Sequence, residues 1–251
     1  MKIDQVTTIV DGLPHMRKPA GTRIYDHVLE HHLRRVLELG TYYGVSTCYL
    51  GAAVDEIDGH VTTIDRRIAL DLEPNVNDLL ERTGLTDRVT PIFAENSFTW
   101  ELKRMLESAD PPEFDFVFLD AGHTWDVTGF AFFLVDRLLR PGGWLLFDDL
   151  NWSVTKSRSV SAAPWTEAMS QEERDSCQIE AVFDVLVTGD ERYDCRREGN
   201  WGWAQKAQVV WSRQLRRKAE EVRLRALSRW RPASGSRGTQ PERPGQLVTR
   251  D

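Results

Sequence analysis

The stretch Arg35-Val-Leu-Glu-Leu-Gly-Thr-Tyr-Tyr-Gly-Val-Ser46 runs from a short apolar strand, through a turn bracketed by Gly40 and Gly44, into the first turn of a helix. The same alternation repeats downstream. Further strand candidates occupy residues 61–65, 88–93, 114–119 and 144–147, and helical patterns fill 45–54, 75–83, 99–108 and 123–139. In the last of these, Val127, Phe130, Leu134 and Leu138 recur at helical spacing and are expected to pack on a sheet. The strands flanking that helix are almost continuously apolar, as parallel strands covered on both faces are. Strands alternating with helices of this length predict βαβ units in a doubly wound, Rossmann-like α/β fold. Residues 192–198 and 201–206, separated by Gly199-Asn200, read as an antiparallel hairpin closing a mostly parallel sheet of seven strands.

Around this body the pattern loosens. Residues 151–164 are rich in Ser and Thr and read as a loop, and 169–187 as one helix with Glu172 and Glu173 in its first turn. An Arg/Glu-rich, solvent-facing helix is expected over 205–230, and the Gly-, Pro-, Ser- and Arg-rich stretch 232–251 as a disordered tail. The chain thus divides into a helical segment 1–34, a main domain 35–206, a basic helix 207–231 and the tail 232–251.

Composition sets limits on function. The 251 residues are 41% hydrophobic and 28% charged, which suits one large domain with a substantial core. No run approaches the roughly 18 apolar residues of a membrane span, which excludes an integral membrane protein. The start, Met1 to Pro14, has no apolar signal-type core, so a cytoplasmic protein is expected. Cys48, Cys177 and Cys195 are odd in number and widely spaced, and read as reduced thiols rather than a disulfide framework or zinc knuckle. The formal charge of -7 is uneven: residues 207–251 hold eleven Lys/Arg against four acids, a net +7, leaving 21 against 35, or -14, for the rest. An acidic body disfavours nucleic acid as substrate, because that affinity comes from neutralising phosphates. The basic extension reads as a solvated face, with an acidic partner as the sharper alternative.

In an open α/β sheet, ligands bind beyond the carboxyl ends of the strands. At those ends stand Glu38 to Ser46, then Asp65, then Asp120-Ala-Gly-His123, and finally Asp148-Asp149. A nicotinamide dinucleotide needs G-x-G-x-x-G at the first turn. Here two tyrosines lie between Gly40 and Gly44, with Glu38 just before them, and both bulk and charge oppose a pyrophosphate. A ligand with a cationic end and a ribose but no phosphate suits the turn, with Asp65 taking the ribose hydroxyls in bidentate fashion. S-adenosylmethionine answers that description.

Val36 to Ser46 resembles the first motif of class I S-adenosylmethionine-dependent methyltransferases, in the catechol-type variant E-x-G-x-[YF]-x-G-x-S. The segment 114–149, with D-x-x-H after the fourth strand, P-G-G before the fifth and D-D after it, resembles bacterial metal-dependent O-methyltransferases of sugars and natural products. The resemblance spans roughly residues 16–206. It implies cofactor contacts from Glu38, Gly40, Tyr42, Gly44, Ser46, Asp65, Asn96, Ser97 and Asp120. It further implies that Asp120, Asp148 and Asp149 hold Mg²⁺, or another divalent cation such as Mn²⁺. His123 falls where such enzymes place a base, so His123 and Asp120 are the catalytic candidates, acting on a small-molecule hydroxyl acceptor. Trp125, Trp152 and Trp165 are candidates for the acceptor's apolar wall.

Other readings stay on the page. A methyltransferase-fold relative with another role, non-catalytic or hydroxylase-associated, shares the same fold. The run His27-Val-Leu-Glu30-His31 matches H-x-x-E-H, the pattern of inverted zinc peptidases, and offers a remote zinc-hydrolase alternative. The acceptor's identity and any homo-oligomer stay open.

Overall fold

The computed structural model describes residues 3–157 and 160–208. Helices α1 (Ile3–Val10) and α2 (Lys18–Glu30) precede a regular alternation of β1 (Arg35–Leu39), α3 (Val45–Glu56), β2 (His60–Arg66), α4 (Val76–Thr83), β3 (Val89–Ala94) and α5 (Phe98–Glu107). There follow β4 (Phe114–Leu119), α6 (Trp125–Leu138) and β5 (Leu139–Phe147). Two short helices, α7 (Gln171–Asp175) and α8 (Gln178–Val182), lead to the hairpin β6 (Tyr193–Glu198) and β7 (Trp201–Lys206). The sheet order is β3-β2-β1-β4-β5-β7-β6, parallel except that β7 runs antiparallel to both β5 and β6. This is the doubly wound, mostly parallel seven-stranded sheet with a C-terminal antiparallel hairpin that the strand pattern predicts.

Pleating sends alternate residues to opposite faces. In β4, Phe116 and Phe118 join the core built with α1 to α4, while Val117 and Leu119 join the core built with α5, α6 and α8. Each of the first three is fully buried, worth about 1.5–3 kcal/mol apiece. Phe114 breaks the alternation and falls with Val117, because the β4–β5 register shifts between Phe114 and Phe116. At that irregularity Asp115 accepts from the Arg34 and Arg35 amides at 2.8 Å each and from Arg140 Nε, tying β4 to the entry of β1 and to β5.

Several boundaries differ from the sequence expectation. Helix α6 begins at Trp125 rather than His123, because Gly122 and His123 have φ of 90° and 44°, which a right-handed helix does not admit. Strand β5 begins at Leu139, so Pro141-Gly142-Gly143 lies inside the strand rather than before it. Of the stripe Val127, Phe130, Leu134, Leu138, three residues pack on the core, Leu138 fully and Val127 and Leu134 in part, while Phe130 does not. Thr128, Ala131, Phe132, Val135 and Leu138 are buried, and Phe130 is 55% exposed. With phenylalanines at 130, 132 and 133 the apolar pattern fits more than one rotation of the helix, and packing selects the one that buries Phe132.

The single helix expected over 169–187 is broken. Ser176 is extended between α7 and α8, and Phe183–Val187 closes the region as one π-helical turn. The break frees the Gln178 side chain to accept from the Trp125 amide at 2.7 Å and donate to Glu173 O at 2.8 Å. The three cysteines are unpaired, Cys48 buried and the other two half-buried. No helix among the described residues is long and apolar enough to cross a membrane. The helix expected over 205–230 contradicts the structure at its start, where Gln205 and Lys206 are the last residues of β7. The remainder of it and the tail 232–251 lie outside the described residues, apart from Ala207 and Gln208.

Candidate active site

Strand order reverses between β1 and β4, since β1 pairs with β2 on one side and β4 on the other. The loops leaving these two strands therefore meet. Asp120 N donates to Leu39 O at 2.9 Å, Gly40 N to Ile64 O at 3.0 Å, and Asp148 N to Leu119 O at 3.0 Å. Gly40 is needed at this crossing: its φ is +100°, and a Cβ there would lie 2.2 Å from the Asp120 carbonyl oxygen. Gly44, at φ +94°, caps α3 where a Cβ would press on Val76.

The turn between these glycines is organised by Asp65. Its Oδ2 accepts from the Thr41 and Tyr42 amides at 2.9 and 2.6 Å, and its Oδ1 from the Arg66 amide at 2.6 Å. A carboxylate offers about four acceptor positions. Three are thus engaged in shaping the turn, which leaves Asp65 less free for a ribose than a bidentate grip on both hydroxyls requires. Glu38 is fully buried beneath the turn; Thr47 donates to its Oε2, and its Oε1 has no hydrogen-bond partner among the described residues. Burial pushes its pKa up to about 7. An unpartnered, enclosed carboxylate oxygen beside a glycine-lined turn fits a ligand that brings a donor or a positive charge.

Ser46 is buried in the first turn of α3, and Tyr42 is exposed, with its φ at 47°. Between β3 and α5, Ser97 accepts from Thr99 N at 3.2 Å and serves as the helix cap; Asn96 precedes it.

Across the crevice, Asp120, His123 and Asp149 each present a ligand atom within 4.8 Å of the others. His123 Nε2 lies 3.1 Å from Asp149 Oδ2 and 3.8 Å from Asp120 Oδ1. His123 and Asp149 both have left-handed φ, 44° and 61°, a conformation uncommon outside glycine and found at sites where side-chain aim is imposed. Asp148 is turned differently: its Oδ1 accepts from Trp201 Nε1 at 2.8 Å and from the Asp149 amide at 2.6 Å. The carboxylates still feel one another. Burial, then the charges of Asp148 and Asp149, raise Asp120 well above the usual carboxylate range, and burial with Asp149 pushes Asp148 up to about 6. Burial also works upward on Asp149, but the hydrogen bonds from His123 and Asn200 outweigh it and hold this carboxyl low. Acids that repel when charged, all offering hard oxygen, form a donor set suited to Mg²⁺ or a similar cation.

Three contributors escape the sequence reading. Asn200, in the β6–β7 turn, donates to Asp149 Oδ1 at 3.0 Å while its own Oδ1 accepts from Asn151 N at 2.7 Å. Trp201 holds Asp148. His15, in the loop after α1, sits edge-on to Tyr42 with ring centroids 4.6 Å apart. The one available signal was Gly199-Asn200: a hairpin antiparallel to β5 must deliver its turn to the carboxyl end of β5. Of the three tryptophans expected to wall the acceptor, Trp152 lies against His123, centroids 4.9 Å apart, whereas Trp125 and Trp165 are 42% and 51% exposed.

Residues 37–150 match a family model described as a methyltransferase domain. A caffeoyl-CoA O-methyltransferase from Populus kitakamiensis is 30% identical over 122 residues, 47% of this chain and 48% of the relative, so the match spans about half the length of that curated protein. Among solved structures, an O-methyltransferase from Bacillus cereus in complex with SAH superposes with a TM-score of 0.61 at 20% identity, covering 82% of this chain and 92% of the other. The O-methyltransferase TomG from Streptomyces achromogenes, in complex with SAM and involved in tomaymycin synthesis, gives 0.59 at 18% identity, covering 81% and 88%.

Proposed function

We propose that this chain, whose residues 37–150 match a family model described as a methyltransferase domain, is an S-adenosylmethionine-dependent enzyme that methylates a hydroxyl oxygen of a small molecule in a reaction dependent on a divalent cation. The observation that carries the proposal is the meeting of Asp120, His123 and Asp149 across the crevice from the Gly40–Gly44 turn. When bound, S-adenosylmethionine supplies an activated methyl on a sulfonium, and the cation makes an acceptor hydroxyl more acidic.

The residues divide the work as follows. Glu38 and the Gly40–Gly44 turn receive the cofactor, with Ser46 in the first turn of α3 beside it and Asn96 and Ser97 at the adenine end. Asp65 shapes the turn and retains one acceptor position for the ribose. Asp120, Asp148 and Asp149 hold Mg²⁺ or Mn²⁺ through oxygen. His123, held beside the carboxylates, takes the acceptor's proton on its imidazole and later releases it to solvent. Trp152 covers one side of His123 and limits water there. Holding the acceptor oxygen in line with the methyl, rather than activating the methyl, is the main task of the protein.

The test is calorimetric titration of the full chain with S-adenosylmethionine, followed by methyl-transfer assays on phenolic and sugar hydroxyl acceptors with and without chelator. Micromolar binding and chelator-sensitive transfer are expected. Absence of S-adenosylmethionine binding would sink the proposal, and full transfer in excess chelator would remove the cation from it.

A further inference from the structure

The run His27-Val-Leu-Glu30-His31 is not used by the site above, yet the fold brings its polar side chains together. One ligand atom from each of His27, Glu30 and His31 lies within 4.8 Å of the others. His27 is fully buried, and Glu30 and His31 are exposed at the end of α2. The His27 ring is enclosed by Trp203, Trp144 and Phe116 at centroid distances of 4.2, 4.8 and 5.7 Å, and the His31 ring stands 4.5 Å away.

Neither Nδ1 nor Nε2 of His27 has a hydrogen-bond partner among the described residues. A buried polar atom without a partner costs about 1–3 kcal/mol, and buried histidines are ordinarily satisfied. The enclosing rings supply none as they stand, the Trp203 indole N–H beside His27 being likewise without a partner among the described residues. Burial first, then the positive charges of His31, Arg23 and Arg196, lower the His27 pKa to about 3, so the ring is neutral and one nitrogen keeps a free lone pair at physiological pH.

We propose that His27, His31 and Glu30 form a second metal site, selective for a borderline divalent ion of the zinc, cobalt, nickel or copper class. Imidazole suits these ions, whereas the carboxylates of Asp120, Asp148 and Asp149 suit harder ones. The i, i+4 spacing places both rings on one helical face. At metal–nitrogen distances of about 2.0–2.1 Å the ligand atoms must draw together by roughly 1.5 Å at most, which the exposed Glu30 and His31 can do by rotation. The site lies at the carboxyl end of α2, where the helix dipole favours a cation. Arg23 and Arg196 oppose it, but Arg23 is engaged by Glu198 at 3.0 Å, and Glu30 brings a negative charge into the ligand set. Zinc hydrolysis is not the use of this site. With Glu30 as ligand no base is left in the cluster among the described residues, and with Glu30 as base only two ligands remain.

The experiment is electron paramagnetic resonance of the full chain with one equivalent of Cu²⁺ in excess Mg²⁺, with zinc calorimetry under the same conditions. Two-nitrogen hyperfine structure is expected, retained in His123→Ala and lost in His31→Ala, with Zn²⁺ affinity falling at least tenfold in His31→Ala and less in Glu30→Gln. His31 is exposed, so its replacement leaves the fold intact. A copper signal unchanged in His31→Ala, or lost in His123→Ala instead, would overturn the site by assigning the ion elsewhere.

Discussion

Trp201 Nε1 donates to Asp148 Oδ1 at 2.8 Å, so the first residue of the last strand fixes a carboxylate at the end of the fifth. Asn200 does the same for Asp149 at 3.0 Å. The antiparallel hairpin therefore supplies the outer support of the proposed cation site. Outer partners of metal ligands are typically worth 10–100-fold in affinity or activity. Trp201→Phe keeps the ring and removes the donor. It is expected to weaken Mn²⁺ binding by about 10-fold, read by calorimetry, with little change in S-adenosylmethionine affinity.

His123→Ala is expected to lower kcat by roughly 10²–10⁴-fold, the usual contribution of a positioned general base. S-adenosylmethionine affinity should stay within about twofold, because the proposed cofactor contacts centre on the Gly40–Gly44 turn after β1, across the crevice from His123. Rate and binding measured on the same preparation separate the two. A variant that turns over normally would remove His123 from the chemistry.

Asp120→Asn and Asp149→Asn are expected to abolish chelator-sensitive turnover while leaving the protein folded. Each replacement also relieves repulsion in the cluster, since Asp120 is raised by burial and by the charges of Asp148 and Asp149. Thermal melts without added metal should therefore show Asp120→Asn at least as stable as the parent at neutral pH. A large loss of Tm would mean that the carboxylate is structural.

Glu38 gives a pH dependence with a definite sign. Burial lifts its pKa from 4.5 to about 7, so between these values the folded state binds more protons than the unfolded state, and stability falls as pH rises. The cost is complete above pH 7 and absent below 4.5. Glu38→Gln removes the titration. The Tm advantage of the variant over the parent, measured without cofactor, should widen from pH 5 to 7 and then level off, while S-adenosylmethionine binding weakens. An advantage that does not change with pH would contradict the assignment.

Gly40→Ala places a Cβ 2.2 Å from the Asp120 carbonyl oxygen at a φ of +100°. Strain and clash together should cost about 2–4 kcal/mol, or roughly 4–15 °C in Tm for a domain of this size. Since the crossing of the β1 and β4 loops is what must move, cofactor affinity should fall with stability.

Much of this was legible in the chain. The apolar runs at 114–119 and 144–147 fall within β4 and β5, because strands covered on both faces leave an almost continuous hydrophobic signature. Gly40 and Gly44 were legible for a related reason, as backbone that must turn with positive φ selects glycine. Which phenylalanine of α6 turns inward was not, since Phe130, Phe132 and Phe133 satisfy several helix rotations and only the sheet beneath selects Phe132. Nor was the start of α6, where the left-handed His123 postpones the helix to Trp125.

The sequence by itself determined the order of strands and helices, the acidic residues that end the strands and the glycines that bend the first turn, because these depend on local periodicity and backbone freedom. Tertiary structure alone decided which side chains act together. Asn200 and Trp201 reach Asp149 and Asp148 across some fifty residues of chain, and Asp65 is drawn into the β1 turn by the Thr41 and Tyr42 amides. Buried polar groups find partners wherever the packed sheet brings them, and that distance in sequence carries no local signal.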